Sequence, residues 1–272
     1  GVVPVRRLTE VFRQAAQSAI ITNAHRVNQG LAPAFPQGKV QDPASTDCYF
    51  IEADAPQRAA EIILKLVRES IPRRFGFHPL DDIQVLTPMY RGELGARNLN
   101  LVLQAALNPG GEGVQRFGWT FRVGDKVMQL VNDYDKDVFN GDIGRIASID
   151  EQEQQIRIRF DEREVRYDLG ELDELTLAYA TTIHKSQGSE YPVVIVPVHT
   201  QHSMLLQRNL LYTAITRAKK LLVGVGSSKA VGVAVRRAES RKRVTMLKER
   251  LVEASKAAGC PRRDLPAADG NG

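Results

Sequence analysis

The stretches "PVVIVPV" (192–198) and "KKLLVGVG" (219–226) limit the possible folds more than any other part of this sequence. Their near-continuous apolar character is what a strand covered on both faces requires, and such strands belong to parallel sheets flanked by helices. Between them "QRNLLYTAITRA" has helical spacing. The same alternation occurs upstream. "DCYFIEA" reads as a strand, and Asp54 with Pro56 opens a helix whose Ile62, Ile63, Leu66 and Val67 share a face. Next, "DDIQVLTPM" reads as a strand bounded by Pro88, and "GELGARNLNLVLQAALN" as a helix presenting Leu99, Val102, Leu103 and Ala106. Strands alternating with helices predict an α/β fold.

The rhythm changes between Phe121 and Leu169. There "DKVMQLVND", "DIGRIASID", "QQIRIRFD" and "EVRYDL" are short strands joined by turn clusters such as "NGD", with no helix between them, which predicts a small all-β barrel inserted into the α/β fold. The α/β pattern resumes with "LTLAYATT", read as one strand. At the start of the chain, Thr9 can cap "EVFRQAAQ", and Ser18 can cap "AIITNAHRVNQ", which Gly30 ends. Residues 31–46 are Pro-rich loop, and 228–258 read as one long basic helical segment before a tail. The expected organisation is an α/β unit in two parts (1–115 and 176–230), the β insert at 116–175, and a basic helix with tail at 231–272.

Charge is unevenly distributed. From Lys219 to Asp264 there are thirteen Lys or Arg against four acids, a net +9, whereas Thr120 to Leu175 carries eight basic and fifteen acidic residues, a net −7. The basic end suits a polyanion, though a solvated helix face has the same composition. Cys48 and Cys260 are far apart and form neither a disulfide framework nor a metal-ligand spacing, which fits a reducing cytosol. No apolar run approaches the ~18 residues of a membrane span, so the expectation is a cytoplasmic protein without membrane contact.

Polar residues gather where the apolar strands begin and end. In "TTIHKSQGSEYPVVIVPV", Thr181, Thr182, His184, Lys185, Ser186 and Gln187 offer donors and Glu190 an acceptor. Donors suit phosphates, a carboxylate suits a sugar hydroxyl, and open parallel sheets bind ligands at their carboxyl edge. Arg217 lies at a helix end before a strand, where a phosphate fork and a helix-dipole partner are both readable roles. Phe12 offers a stacking face beside Arg13. In "QRFGWTFRVG", Arg116, Trp119, Phe121 and Arg122 form either a basic aromatic face or, for Trp119, barrel core.

In order, "LTEVFRQ", "LTPMYRGELGARNLNLVLQAALNP", "YATTIHKSQGSEYPVVIVPV" and "LLYTAITRAKKLLVGVG" resemble successive motifs in the second half of superfamily 1 DNA helicases, most closely the RecD-like branch. The resemblance spans roughly residues 8–226. It implies a RecA-like parallel sheet flanked by helices (domain 2A) carrying a Src-homology-3-like barrel (domain 2B). It also implies that Arg13 and Arg217 contact the γ-phosphate of ATP and that Phe12 stacks on adenine with Gln14 beside it. Gly188 and Glu190 would approach phosphates and ribose. Tyr90, Arg91, Thr182, His184 and Lys185 would face single-stranded DNA. The branch resembled moves 5′ to 3′, an implication of kinship alone.

A G-x-x-x-x-G-K-[ST] phosphate loop is absent from the 272 residues, and so is a recognisable acidic Mg²⁺ motif. In the family these lie in a first RecA-like domain. That N-terminal domain is therefore an expected partner, holding Mg²⁺ and most of the ATP site, and the chain alone is expected to be inactive. Single-stranded DNA and the subunits of a nuclease complex are the other expected partners. The helicase portion of a conjugative relaxase, and a non-catalytic single-strand-binding module, are alternatives on these residues.

Overall fold

The computed structural model describes residues 18–35, 46–111, 113–202, 204–238 and 246–257. The helix expected after Thr9, together with Phe12, Arg13 and Gln14, lies outside them.

Five parallel strands form the first sheet: β1 (Cys48–Glu52), β2 (Ile83–Thr87), β10 (Ala180–Thr182), β11 (Tyr191–Val198) and β12 (Ala218–Gly226), in the order β1-β12-β11-β2-β10. Helices cover both faces. Val85, Val193, Ile195 and Val223 pack with α2 (Pro56–Lys65) and α4 (Ala96–Leu107) through Ile63, Leu99 and Leu103. Their neighbours Leu86, Val194, Val196 and Leu222 point the other way, onto α1 (Ala19–Asn28), α5 (Arg208–Ile215) and α6 (Ser228–Arg236). Alternating residues thus enter two cores, which is why the strands read as continuously apolar.

Local sequence sets the helix ends. The Ser18 hydroxyl accepts from the Ile21 amide at 3.3 Å and donates to Asp47, which also accepts from the Ile20 amide. After α2 the chain makes a π turn (Leu66–Ser70) before α3 (Ile71–Phe75). Pro72 has no amide proton to continue an α ladder through this point.

The second sheet is antiparallel, in the order β8-β7-β6-β5-β9: β5 (Lys126–Gln129), β6 (Ile143–Asp150), β7 (Gln155–Phe160), β8 (Arg163–Asp168) and β9 (Leu175–Leu177). A separate hairpin, β3 (Gly113–Arg116) and β4 (Trp119–Arg122), precedes it. Phe121, Val127, Ile146, Ile156, Ile158 and Tyr167 fill its interior, and this core continues into the one beneath the parallel sheet. Trp119 and Phe121 are 7% and 0% exposed, so both are core residues.

"LTLAYATT" proves to be two strands in two sheets. Leu175–Leu177 pairs with β5, and Ala180–Thr182 with β2. Between them the chain passes from one sheet to the other: the Ala178 amide still donates to Lys126 O on β5 (2.8 Å), while Ala178 O turns away to accept from Gln84 Nε2 (3.1 Å). Asn100, on α4, clamps the corner by donating to Leu177 O and Ala180 O and accepting from the Ala180 amide. The expected long basic helix is also divided, since α6 ends at Arg236. α7 (Leu247–Ala257) falls in a separate compact unit, and its described side chains are exposed.

Candidate functional site

The segment from Ala180 to Tyr191 links opposite edges of the parallel sheet. Thr182 is in register with Thr87, the last residue of β2, so it lies at the carboxyl edge. Tyr191 is in register with Ala218, the first residue of β12, so it lies at the amino edge. All the strands are parallel, and eight residues including a 3₁₀ turn (Ile183–Ser186) make the crossing. Thr181, Thr182 and the turn holding His184 and Lys185 therefore sit at the expected edge. Gly188, Glu190 and Arg217 sit at the other, because β11 must start level with β12 to pair with it.

At the amino edge, Arg217 closes the turn after α5. Its Nη1 donates to Ser189 O at 2.8 Å, its Nε to Thr213 O at 3.3 Å and its Nη2 to Thr216 Oγ1 at 3.3 Å. No ion pair to Arg217 occurs among the described residues, so its charge is held by neutral acceptors and is uncompensated by a carboxylate. That arrangement suits an anion better than a structural salt bridge would. Gly188 is exposed at φ +91°, a left-handed conformation, and a Cβ built there has nothing within 4 Å. The backbone is thus bare enough for a ligand to touch. Glu190 pairs with Lys219 at 3.0 Å, both about half exposed, so a ribose hydroxyl would share this carboxylate with an ammonium.

At the carboxyl edge, the loop after β2 is folded tightly onto the start of α4. The Ala96 amide donates to Met89 O and the Arg97 amide to Tyr90 O, both at 3.0 Å. Gly95 makes this possible, since a Cβ there would lie 2.4 Å from the backbone of Arg91. These bonds present Tyr90, 46% exposed, and Arg91, also exposed. Beside them a cleft of about 360 Å³ opens where the two sheets meet, and it brings together Tyr90, Thr182 and Lys185. His184 and Arg91 lie on flanking surface outside its lining. Phe117, at the β3–β4 turn and 58% exposed, also lines it and was not singled out from the sequence. An aromatic residue inside a two-residue "RFGW" hairpin turn was the available signal.

Asp125 holds the junction between the two sheets. Its buried carboxylate accepts from Gln104 Nε2 (2.6 Å), Asn108 Nδ2 (2.7 Å), the Arg122 amide (2.8 Å) and the Tyr179 hydroxyl (2.7 Å), joining α4, β4 and the corner between the sheets. Burial beside this carboxylate pushes the Tyr179 phenol well above its ordinary pKa. No group of three His, Cys, Asp or Glu that could hold a metal ion occurs among the described residues. No described helix is long and apolar enough to cross a membrane.

Two family models match the chain. Residues 99–160 match the SH3 domain of ATP-dependent RecD-like DNA helicases, and residues 177–225 match the UvrD-like helicase C-terminal domain. The chain is 36% identical over 248 residues to an ATP-dependent RecD2 DNA helicase of Deinococcus radiodurans, covering 91% of this chain and 32% of that protein. It is 33% identical over 172 residues to the RecBCD enzyme subunit RecD of Mycolicibacterium smegmatis, covering 63% and 30% respectively. The chain spans about a third of the length of these curated relatives. A Bacteroides Pif1 helicase solved with ADP-AlF3 and single-stranded DNA gives a TM-score of 0.48 at 17% identity, covering 93% of this chain and 57% of that one, a likeness too loose to build on. The two models fall in order on the antiparallel and parallel parts of the fold, and with sequence identity to a RecD-like helicase over nine-tenths of its length, the chain belongs to the RecD-like superfamily 1 helicases.

Proposed function

We propose that this chain is the C-terminal motor portion of an ATP-dependent DNA helicase, with an α/β domain 2A (1–115 and 176–230) and a barrel domain 2B (116–175). One observation carries the reading: the segment Ala180–Tyr191 joins a carboxyl edge lined by candidate strand-binding residues to an amino edge with an uncompensated arginine and a bare glycine. The Deinococcus relative is named an ATP-dependent DNA helicase. On this reading ATP is the substrate at the amino edge. Arg217, with Arg13, meets the γ-phosphate, Phe12 and Gln14 meet adenine, and Gly188 and Glu190 meet the phosphates and ribose. Single-stranded DNA crosses the carboxyl edge at Tyr90, Arg91, Thr182, His184 and Lys185.

The chemistry asked of this chain is electrostatic. Phosphoryl transfer depends on stabilising charge as it spreads over the γ-phosphate oxygens, and an arginine reaching in from a facing domain contributes roughly 10³ to 10⁵ in rate. Arg217 fits that task because its present acceptors are two carbonyls and a hydroxyl, which an anion can displace without stranding a carboxylate. When Arg217 turns to a phosphate it releases Ser189 O, so an event at the amino edge alters the backbone leading to Lys185. Mg²⁺ would neutralise phosphate charge, and its ligands belong to a first RecA-like domain. Pairing with nuclease-complex subunits is proposed on the likeness to RecD of the RecBCD enzyme.

The test has two arms. The chain alone, which has no phosphate loop, should show no DNA-stimulated ATP hydrolysis. Joined to a RecD-like first motor domain it should hydrolyse ATP, and Arg217→Ala or Arg13→Ala should abolish turnover while single-strand affinity stays within about twofold. Hydrolysis by the chain alone at helicase rates, or full turnover in the Arg217 variant, would sink the reading.

A further inference from the structure

We propose that the cleft between the two sheets takes one unstacked nucleobase of the single strand, received between Tyr90 and Phe117. The proposal rests on the single-strand reading above.

Phe117 carries the argument furthest, because nothing in the fold accounts for it. Arg116 and Trp119 are paired across the hairpin, so Phe117 and Gly118 form a two-residue turn, with φ of +49° and +79°. Left-handed values at both positions define a type I′ turn, whose first position favours Asn, Asp or Gly. A phenylalanine there is strained, and it gains no burial in return, being 58% exposed. A residue that breaks the local rule without a packing gain is expected where a ligand uses the side chain.

The surroundings specify the ligand. Tyr90, the other exposed ring on the cleft, comes from the loop after β2, so the two rings are supplied by different sheets. The floor is apolar, with Trp119 and Leu177 buried. Thr181, also in the lining, is 5% exposed and its hydroxyl has no hydrogen-bond partner, while Asp173 stands exposed at the rim. A purely hydrocarbon ligand would leave the Thr181 hydroxyl unpaired. A nucleobase offers flat faces to the rings and a polar edge to the wall, and Lys185 on the same cleft can meet the attached phosphate. With one lysine against one aspartate, stacking supplies the affinity.

The experiment compares two strands of about 12 nucleotides, oligothymidine and a fully abasic analogue, by fluorescence anisotropy with the whole chain at fixed salt. The wild-type chain should prefer the base-bearing strand by about tenfold or more. Phe117→Asn should remove most of that preference and leave abasic affinity unchanged, and Tyr90→Ala should weaken oligothymidine binding by a larger factor than abasic binding. Asparagine suits the left-handed turn, so Phe117→Asn should melt at or above the wild-type temperature, separating loss of the ring from loss of the fold. Retained preference in both variants, or equal weakening on both strands, overturns the subsite and leaves the single-strand reading standing. If the wild-type chain binds neither strand, that reading falls and the subsite with it. A base-independent affinity for an aromatic peptide at the cleft would also overturn it.

Discussion

Replacing Asp125 tests the junction between the two sheets. Its two carboxylate oxygens accept four hydrogen bonds, two apiece, and the residue is 0% exposed. In Asp125→Ala the donors are not equally stranded. Gln104 Nε2 keeps Thr120 O at 2.8 Å and Asn108 Nδ2 keeps Val123 O at 3.0 Å. The Tyr179 hydroxyl, in a residue 3% exposed, loses its acceptor, and so does the Arg122 amide. Two stranded donors at about 1 to 3 kcal/mol each give an expected loss of about 4 kcal/mol, a large part of a domain's ~5 to 15 kcal/mol. Asp125→Asn keeps the shape but turns one acceptor oxygen into a donor facing two others, so it should cost about half as much or more. Urea unfolding followed by tryptophan emission reads this well, because the single Trp119 lies in the strand that Asp125 braces. A loss below about 1 kcal/mol for Asp125→Ala, at unchanged denaturant slope, would refute the assignment of Asp125 as the organising acceptor.

Three further expectations use other sites. Gly95→Ala drives a Cβ into the Arg91 backbone, so it should destabilise by about 2 kcal/mol or more and weaken oligothymidine binding through Tyr90. Calorimetry and anisotropy on the same variant check both effects. Burial, with His199 adjacent, pushes the His202 imidazole down to about 4, so the unfolded chain takes up a proton from pH 6.5 downward that the folded chain refuses. Stability should fall by up to about 3 kcal/mol between pH 6.5 and 4, and His202→Gln should flatten that slope in acid-titrated urea melts. Lys126, buried and donating to Ile83 O at 3.3 Å, has its ammonium pushed down to about 8 by burial. Lys126→Met should therefore stabilise the chain at pH 7, with the gain shrinking as pH rises from 8 toward 10.5, measured by urea melts across that range.

What could be read from the sequence followed the strength of the local signal. Apolar runs such as Val193–Val198 announce a strand covered on two sides, and the change to short strands and turns after Phe121 announces the insert. "LTLAYATT" defeated that reading because Ala178 and Tyr179 are as apolar as their neighbours, and the switch between sheets is enforced by Gln84 and Asn100, which are remote in sequence. The helix read from Gly92 starts at Ala96 because the preceding residues fold back to satisfy its first amides. At the site, residue types were legible but their distribution over two edges was not. That division is a property of strand register, which composition does not encode. Phe117 escaped notice because aromatic residues are ordinarily assigned to strands or core; the "RFGW" turn hinted at the exception, and the backbone conformation reveals it.

The short crossing between the sheet edges has a mechanical consequence. The path is a four-residue 3₁₀ turn (Ile183–Ser186) followed at once by a second turn at Gln187–Gly188, closed by the Ser189 amide donating to Ser186 O at 3.1 Å. The Ser186 hydroxyl, bonded to Ile183 O at 2.8 Å, resists unwinding of the first turn, and Arg217 tethers the far end at Ser189. Ser189 thus closes the second turn through its amide and holds Arg217 through its carbonyl. A displacement of Ser189 loads that single hydrogen bond first, and what passes on toward Lys185 and Thr182 is set by whether the turn holds or opens, which makes this segment behave as a clutch.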